Sequence, residues 1–525
     1  MLSAQKQSDA PSVAVVGGGL AGMTAALALA DRGLKVTLLE AQRRLGGRIA
    51  PIDDALVGQP IDFCPHVTMG CCTNLAHLLR RIGAAERWQR FDKLHFFGHH
   101  GKRYKFAASR WLPAPLHLLP ALLRQGYLSL ADRLAIAQAL WRLARADADS
   151  QRRAIGSQFL GTDSKHLGID SQPLRIDSEH LTVDAESLPP AEADHQHTIA
   201  RWLVAQRQSP EAILRFWAVV LHSALSERLD GIDLQAARKV FVDGFLASRQ
   251  AWQVHTPASS LWQAVCQPLA EALQQRNVEI RCGSRAGRIE GDGRRATAVV
   301  LADGSSLSAQ FVILAVAWHQ AAELLAEPLR AAVPQLQWWA EMGGCPIAAI
   351  HLWFDRPITN LPNAILTSQC GWWVFNKGCR ELAERCDSAQ RQARPCQYYQ
   401  VVISAAYELA SRTAEDILTL VLDVLKRHFP AARDAVLLHW RALVHRRAVF
   451  GCRPGVESLR PPQQTPVANL MLAGDWTSTG WPATMESAVR SGYAAAEAVL
   501  AALGMPQRVV IDDLPRGPLA RLLLG

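Results

Sequence analysis

The residues with the clearest chemical meaning are Gly17, Gly19 and Gly22, spaced G-x-G-x-x-G, followed further along the chain by Glu40. In a turn from strand to helix, the first glycine permits a tight bend and the second lets backbone amides approach a pyrophosphate. The third lets helix and strand pack closely. Leu20 and Ala21 open the helix, whose N-terminal amides would face the phosphate charge. Glu40 stands close to the spacing of about 20 residues expected of a carboxylate that takes ribose hydroxyls, which argues against a preference for a 2′-phosphate. AQRRLGGRI follows directly. In it Gly46 and Gly47 free the backbone, and Arg43, Arg44 and Arg48 offer guanidinium groups suited to bidentate contact with a pyrophosphate. A plain NAD site does not need this extension, but to this point the residues leave both FAD and NAD open. A second punctuated stretch, AGDWTSTGWPATMESAVRSG, places Gly474 and Asp475 after a strand-like run and Thr484 and Met485 near the start of a small-residue helix.

These residues need particular elements to hold them. SVAVV (12–16) reads as a short buried strand, MTAALALADRG as a helix, LKVTLLE as a second strand ending at Glu40, and 469–473 as a third. Residues 278–319 alternate around turns at Gly291-Asp292-Gly293 and Asp303-Gly304, the pattern of a β-meander. From Arg110 to Ala146 the chain is rich in Leu and Trp with flanking Arg and is helical in period from Leu128, which suits either a bilayer interface or a packed helix pair. Residues 160–188 repeat LGTDSKH, LGIDSQP, LRIDSEH, LTVDAES with period 7. The central Asp and Pro173 argue for a polar insertion over 150–195 rather than a coiled coil.

Composition narrows the class. With 525 residues, 49% hydrophobic and 20% charged, the chain can bury more than one core. The +9 formal charge comes from 56 basic and 47 acidic residues without a basic stripe, so nucleic acid is not an expected partner. The start, MLSAQKQSDAPS, lacks the apolar stretch of a secretory signal. No apolar run reaches the length of a spanning helix, roughly 18 residues. A cytoplasmic protein, peripheral at most to the inner face of the membrane, is expected. The 11 cysteines contain no CxxC and read as free thiols, Cys71 and Cys72 as small buried residues. His95, His99 and His100 lack a second cluster at ligand spacing, so no metal is expected.

The E-x(5)-GGR arrangement from Glu40 to Arg48 resembles the flavin-binding amine oxidase and phytoene desaturase superfamily. The resemblance implies FAD, held in an α/β fold whose discontinuous Rossmann-like domain is joined to an α+β substrate domain. It places the FAD domain at 11–94, 250–330 and 465–505 and the substrate domain at 95–249 and 331–464; a C-terminal tail at 506–525 falls outside the resemblance. It also implies that Asp475 approaches the ribityl chain, that Thr484 and Met485 open a helix aimed at the flavin pyrimidine ring, and that Ala286 touches adenine through its backbone.

WLPAPLHLLPALL, QSPEAILRFWAVVLHSALSE with DGFLASR, and LAGDWTSTGWPAT together look like the hydroxysqualene dehydroxylases, also described as squalene-associated desaturases. The pattern D-x-G-Q-H-V of that family reads Asp62-Phe63-Cys64-Pro65-His66-Val67 here. The resemblance implies a long isoprenoid substrate, an electron donor it does not identify, and contact with other squalene-pathway enzymes. Its reaction is reductive dehydroxylation: an allylic hydroxyl leaves as water and hydride from reduced flavin takes its place. His66 is the expected proton donor. Trp338, Trp339, Trp372, Trp373 and Phe375 are the expected aromatic faces for a developing cation. Carotenoid-type desaturation, amine oxidation and a non-catalytic flavin-binding lipid carrier are the alternatives.

Overall fold

A computed structural model describes residues 10–58, 60–98, 101–145, 197–383 and 393–524. The repeat over 150–195, His99 and His100 lie outside the described residues. Strand β1 (Ser12–Val16) is the centre of a five-stranded sheet that also holds β2 (Lys35–Glu40), β3 (Glu279–Cys282), β4 (Phe311–Leu314) and β5 (Leu470–Leu472), in the order β3-β2-β1-β4-β5. Every pairing in it is parallel. A parallel sheet is covered on both faces, which explains why β1, β2, β4 and β5 read as nearly unbroken apolar runs. The strands come from three separated stretches of chain.

Helix α1 (Leu20–Ala30) follows β1 and is buried along almost its whole length. Helix α2 (Met485–Ala502) lies across it, and the crossing is close because Gly492 has no side chain: a Cβ there would stand 2.4 Å from the Ala21 carbonyl oxygen. The expected meander is a three-stranded antiparallel sheet over Ala286–Gly291, Ala296–Leu301 and Ser306–Leu307.

A second, mixed sheet has seven strands in the order Leu437–Phe450, Gly344–Phe354, Ala393–Ser404, Trp372–Ala383, Asn363–Leu366, Leu94–Phe97 and Arg103–Phe106. One face packs on the helix Ala414–His428 through a core that includes Val374, Tyr399 and Val421. The Leu- and Trp-rich stretch forms the helices Leu119–Leu123 and Leu130–Arg145; Ile136, Ala139 and Leu143 are buried, whereas Trp111, Leu130 and Leu134 are exposed. It therefore packs with one face and presents apolar side chains with the other. Among the described residues, no helix is long and apolar enough to cross a membrane.

Candidate active site

The two sheets enclose a cavity of about 1830 Å³ into which both glycine-bearing motifs open. Gly17 takes a φ of +113°, and its amide bonds the Leu39 carbonyl at 2.8 Å, locking the turn against the end of β2. A Cβ on Gly22 would sit 2.0 Å from the Gly17 carbonyl oxygen, so only glycine lets α1 start so close to the turn. Gly19 has open space where its Cβ would be and no side chain caps α1. The helix N-terminus therefore presents bare amides to the cavity. Glu40 accepts from the Gly18 amide at 2.8 Å and the Gln42 amide at 2.7 Å, which fixes its carboxylate at the cavity wall.

Arg48 reaches across the molecule: Nη2 donates to Asp475 Oδ1 at 2.6 Å and Nη1 to the Ala448 carbonyl at 3.1 Å. This ion pair joins the N-terminal and C-terminal motifs. Its partner Asp475 is almost fully buried, whereas the Arg48 side chain is 36% exposed, so Asp475→Ala removes the pair and leaves a guanidinium that solvent still reaches. Unfolding stability is expected to fall by about 1 kcal/mol in urea titration; a change under a few tenths would show the pair to be dispensable. Thr484 caps α2, its hydroxyl accepting from the Ser487 amide at 3.2 Å. With Met485 it lines the cavity at the positive end of that helix dipole.

The same cavity brings together Gly17, Gly19, Leu20, Ala21, Glu40, Gly46, Gly47, Arg48, Ala286, Gly474, Asp475, Thr484 and Met485. Gly22 stands behind this wall as packing. Arg43 does not line the cavity and is exposed. The cradle fits FAD: open space beside Gly19, bare amides at α1, a fixed carboxylate at Glu40 and a second helix terminus at Met485.

His66 also faces the cavity. Its Nδ1 lies 2.9 Å from the Cys64 carbonyl oxygen. That oxygen is an acceptor, so Nδ1 carries the proton and donates, leaving Nε2 the open position. Burial, aided by the charges of Arg48 and Lys377, pushes its pKa down to about 4. Near neutral pH it is an imidazole whose open Nε2 accepts a proton; a role as proton donor would need that nitrogen to be protonated first.

The aromatic residues are sorted by strand geometry. Successive side chains of a strand point to opposite faces. Trp373 and Phe375 line the cavity, their rings stacked 5.4 Å apart, while Trp372 packs on the core behind the sheet. Trp339 is fully buried, donates from Nε1 to the Leu459 carbonyl at 2.9 Å and packs against Phe450 and Trp476; Trp338 leans edge-on against it. Trp338, Trp339 and Trp372 are thus core residues, not cavity residues.

Arg460, Glu486 and Asn74, none of which carries a sequence signal, shape the site. Arg460 is buried and holds the GDWTSTGW turn by donating to the carbonyls of Trp481 at 2.7 Å and Asp475 at 2.8 Å. Glu486, fully buried in the first turn of α2, accepts from the amides of Asn74 at 3.1 Å and Leu75 at 2.8 Å, and from Asn74 Nδ2 at 2.9 Å. Among the described residues, no group of His, Cys, Asp and Glu could hold a metal, and the cysteines are free.

Away from the dinucleotide elements the cavity continues as an apolar arm walled by Leu94, Phe96, Leu122, Val219, Phe216 and Trp141. The lining carboxylates are Glu40, Glu323, Asp475 and Glu486; of the lining cations, Arg48 pairs with Asp475 and Lys239 with Asp243.

Comparison with known proteins places this geometry. The family described as Flavin containing amine oxidoreductase matches residues 20–500. A zeta-carotene desaturase of Synechocystis is 25% identical over 522 residues, covering 95% of this chain and 99% of the relative. A 15-cis-phytoene desaturase of Arabidopsis thaliana is 24% identical, covering 95% of this chain and 81% of the relative. Cyclohexylamine oxidase from Brevibacterium oxydans has the same fold at 20% identity, with a TM-score of 0.61 over 94% of this chain and 100% of its own.

Proposed function

The chain belongs to the flavin containing amine oxidoreductase family and is an FAD-dependent oxidoreductase, and from that premise we propose that it reductively removes the hydroxyl of hydroxysqualene to give squalene. The observation that carries an isoprenoid substrate is the apolar arm, continuous with the flavin cradle and free of any carboxylate. Arg215 lines the cavity and would disfavour an ammonium ion there, which sets amine substrates apart from this reading; Lys239 is paired with Asp243 at 2.9 Å and adds no free charge. The carotene desaturase relatives point the same way, to a lipophilic chain. Dehydroxylation itself is supported by the motif LAGDWTSTGWPAT and its resemblance to the hydroxysqualene dehydroxylases.

Bound FAD supplies hydride donation or acceptance. The protein's own contributions are binding, exclusion of water and placement of charge. Arg48, Glu40 and the two helix N-termini hold the anionic cofactor, and Trp373, Phe375 and Val219 dry the arm. Trp373 and Phe375 offer ring faces to a developing cation. The exposed Trp111, Leu130 and Leu134, near the cavity-lining Leu116, Ala137 and Leu140, would dip into a membrane interface from which the substrate enters. Peripheral attachment at the inner membrane face, beside other enzymes of the squalene route and a separate electron donor, completes this reading.

A second reading, carotenoid-type desaturation, is favoured by one observation: the open Nε2 of His66 is a proton acceptor. Loss of hydride from one carbon and of a proton from its neighbour needs an acceptor of that kind, whereas departure of a hydroxyl needs a donor. Incubating the FAD-loaded protein with hydroxysqualene and dithionite, and in parallel with phytoene and a quinone, separates the two. Squalene formation is the expected result; conjugated polyenes instead would sink the dehydroxylase reading. The role of His66 has its own test. Burial chiefly holds its pKa down, with smaller contributions from the charges of Arg48 and Lys377, so Lys377→Met should move a His66-dependent limb of the kcat/KM profile upward by a few tenths of a pH unit, about half at most. A profile that stays in place, or a His66→Ala enzyme with full activity, removes His66 from the chemistry.

A further inference from the structure

A segment without helix or strand has few backbone hydrogen bonds of its own and stays in place only if side chains tie it down. Here residues 505–517, without regular structure, are tied at three points, each on the flavin-bearing domain. Glu497 accepts from the amides of Val509 and Val510, the latter at 2.8 Å. Asn74 clamps Ile511 from both sides, accepting from its amide at 2.8 Å and donating to its carbonyl at 2.9 Å. Asp513 pairs with Arg490 and accepts from Trp481 Nε1 at 3.1 Å. Asn74 and Arg490 are the residues that engage Glu486 at the start of α2, so the strap is anchored on the framework that presents the flavin-facing helix end.

Beyond the strap, the Gly517 amide bonds the Ala247 carbonyl at 2.9 Å and the chain forms a final helix, α3 (Pro518–Leu524). This helix packs on Leu130–Arg145. Ala520 is fully buried, and Leu524 fills a slot floored by Ala114, Ala144, Val242 and Ala247. Three of those four are alanines, so without Leu524 the slot is a gap. Leu524 also lines the large cavity, in the part walled by Leu140, Trp141 and Leu246.

We propose that α3 is the closing wall of the apolar arm and that Leu524 sets the length of chain the arm accepts. The inference rests on the isoprenoid reading above and adds the element that measures the substrate. A side chain reaching from the C-terminus into the arm takes up room that a longer hydrocarbon would need, and α3 in turn is kept in place by the strap.

The test uses the FAD-loaded full chain, Leu524→Trp, Leu524→Ala, and a chain ending at Arg516. Squalene and phytoene, a shorter and a longer isoprenoid, are titrated against intrinsic tryptophan fluorescence. Leu524→Trp is expected to weaken phytoene about tenfold more than squalene, the discrimination typical of small changes in apolar room. Leu524→Ala and the truncated chain are expected to favour phytoene. If all variants retain FAD and bind both hydrocarbons in the ratio of the unmodified protein, the proposal fails while the isoprenoid reading stands. If the unmodified protein binds neither hydrocarbon, both fail. Should the truncated chain not fold, the two point variants decide the matter.

Discussion

Gly22→Ala is expected to strip the protein of FAD and to weaken the fold with it. The added Cβ would lie 2.0 Å from the Gly17 carbonyl oxygen and 3.2 Å from the Ala315 side chain. The nearest atom is backbone, so no side chain can swing away, and either α1 or the turn must shift. A displacement of that kind costs about 3 kcal/mol, roughly a hundredfold in affinity if it falls on the cofactor site. Gly19→Ala provides the contrast. Gly19 has a φ of −75° and no atom within 4 Å of its Cβ position, so alanine fits the empty protein but projects into the space of the pyrophosphate. The Gly19 variant should therefore lose FAD affinity with unchanged unfolding in the cofactor-free state, whereas the Gly22 variant loses both. Flavin absorbance after dialysis and urea unfolding of the stripped proteins read the two effects separately. A Gly22→Ala protein that keeps its flavin and its stability would show that the turn is not the cradle.

The second large effect is loss of stability in mild acid. His66, His117, His222 and His351 each have their pKa pushed down to about 4, in every case chiefly by burial. An unfolded histidine titrates near 6.5, so between that pH and about 4 the unfolded chain binds protons that the folded chain refuses. The stabilisation these neutral rings retain at pH 7 is therefore lost as pH falls through the unfolded pKa. At pH 5 each site costs about 2 kcal/mol. Asp62 acts in the opposite sense, because burial raises its pKa to about 6. Below that pH the folded state takes up a proton first and regains about 1 kcal/mol by pH 5. The histidines win, and the sum is of the order of a whole domain's stability. Urea unfolding at pH 7 and pH 5, at matched ionic strength, should differ by several kcal/mol; a difference below about 1 kcal/mol would overturn the argument. His117 offers a control, because its ring is fully buried and burial is the largest cause of its lowered pKa. His117→Leu is expected to recover part of the acid stability.

Much of the cofactor cradle was legible in the sequence because its geometry is local. A turn that must bend between Gly17 and Gly22 leaves a glycine pattern, and a carboxylate at a strand end leaves a fixed spacing to Glu40. The small-residue helix after Asp475 also announced itself, since only residues such as Gly492 let α2 cross α1 so closely. Adjacent Trp372 and Trp373 carried a further message: neighbours in a strand face opposite ways, so only one of them could reach the cavity. Which one did so was set by the core that the other entered.

The remaining features depend on which distant segments meet. Arg460 is an ordinary arginine in the sequence until the fold lays it beneath the Asp475 turn. Asn74, Glu486 and Ile511 form one network only because α2 and the strap converge on the same corner. The protonation of His66 follows from burial and from the charges of Arg48 and Lys377, a field summed over segments far apart in the chain. The sequence by itself determined that a dinucleotide is bound and the local backbone that grips it, because those are dictated by short-range sterics and spacing. Only the tertiary structure decided which aromatic residues face the cavity, which nitrogen of the cavity histidine is open, and that the helix Pro518–Leu524 packs beside the cavity, because burial and electric field are properties of the assembled protein.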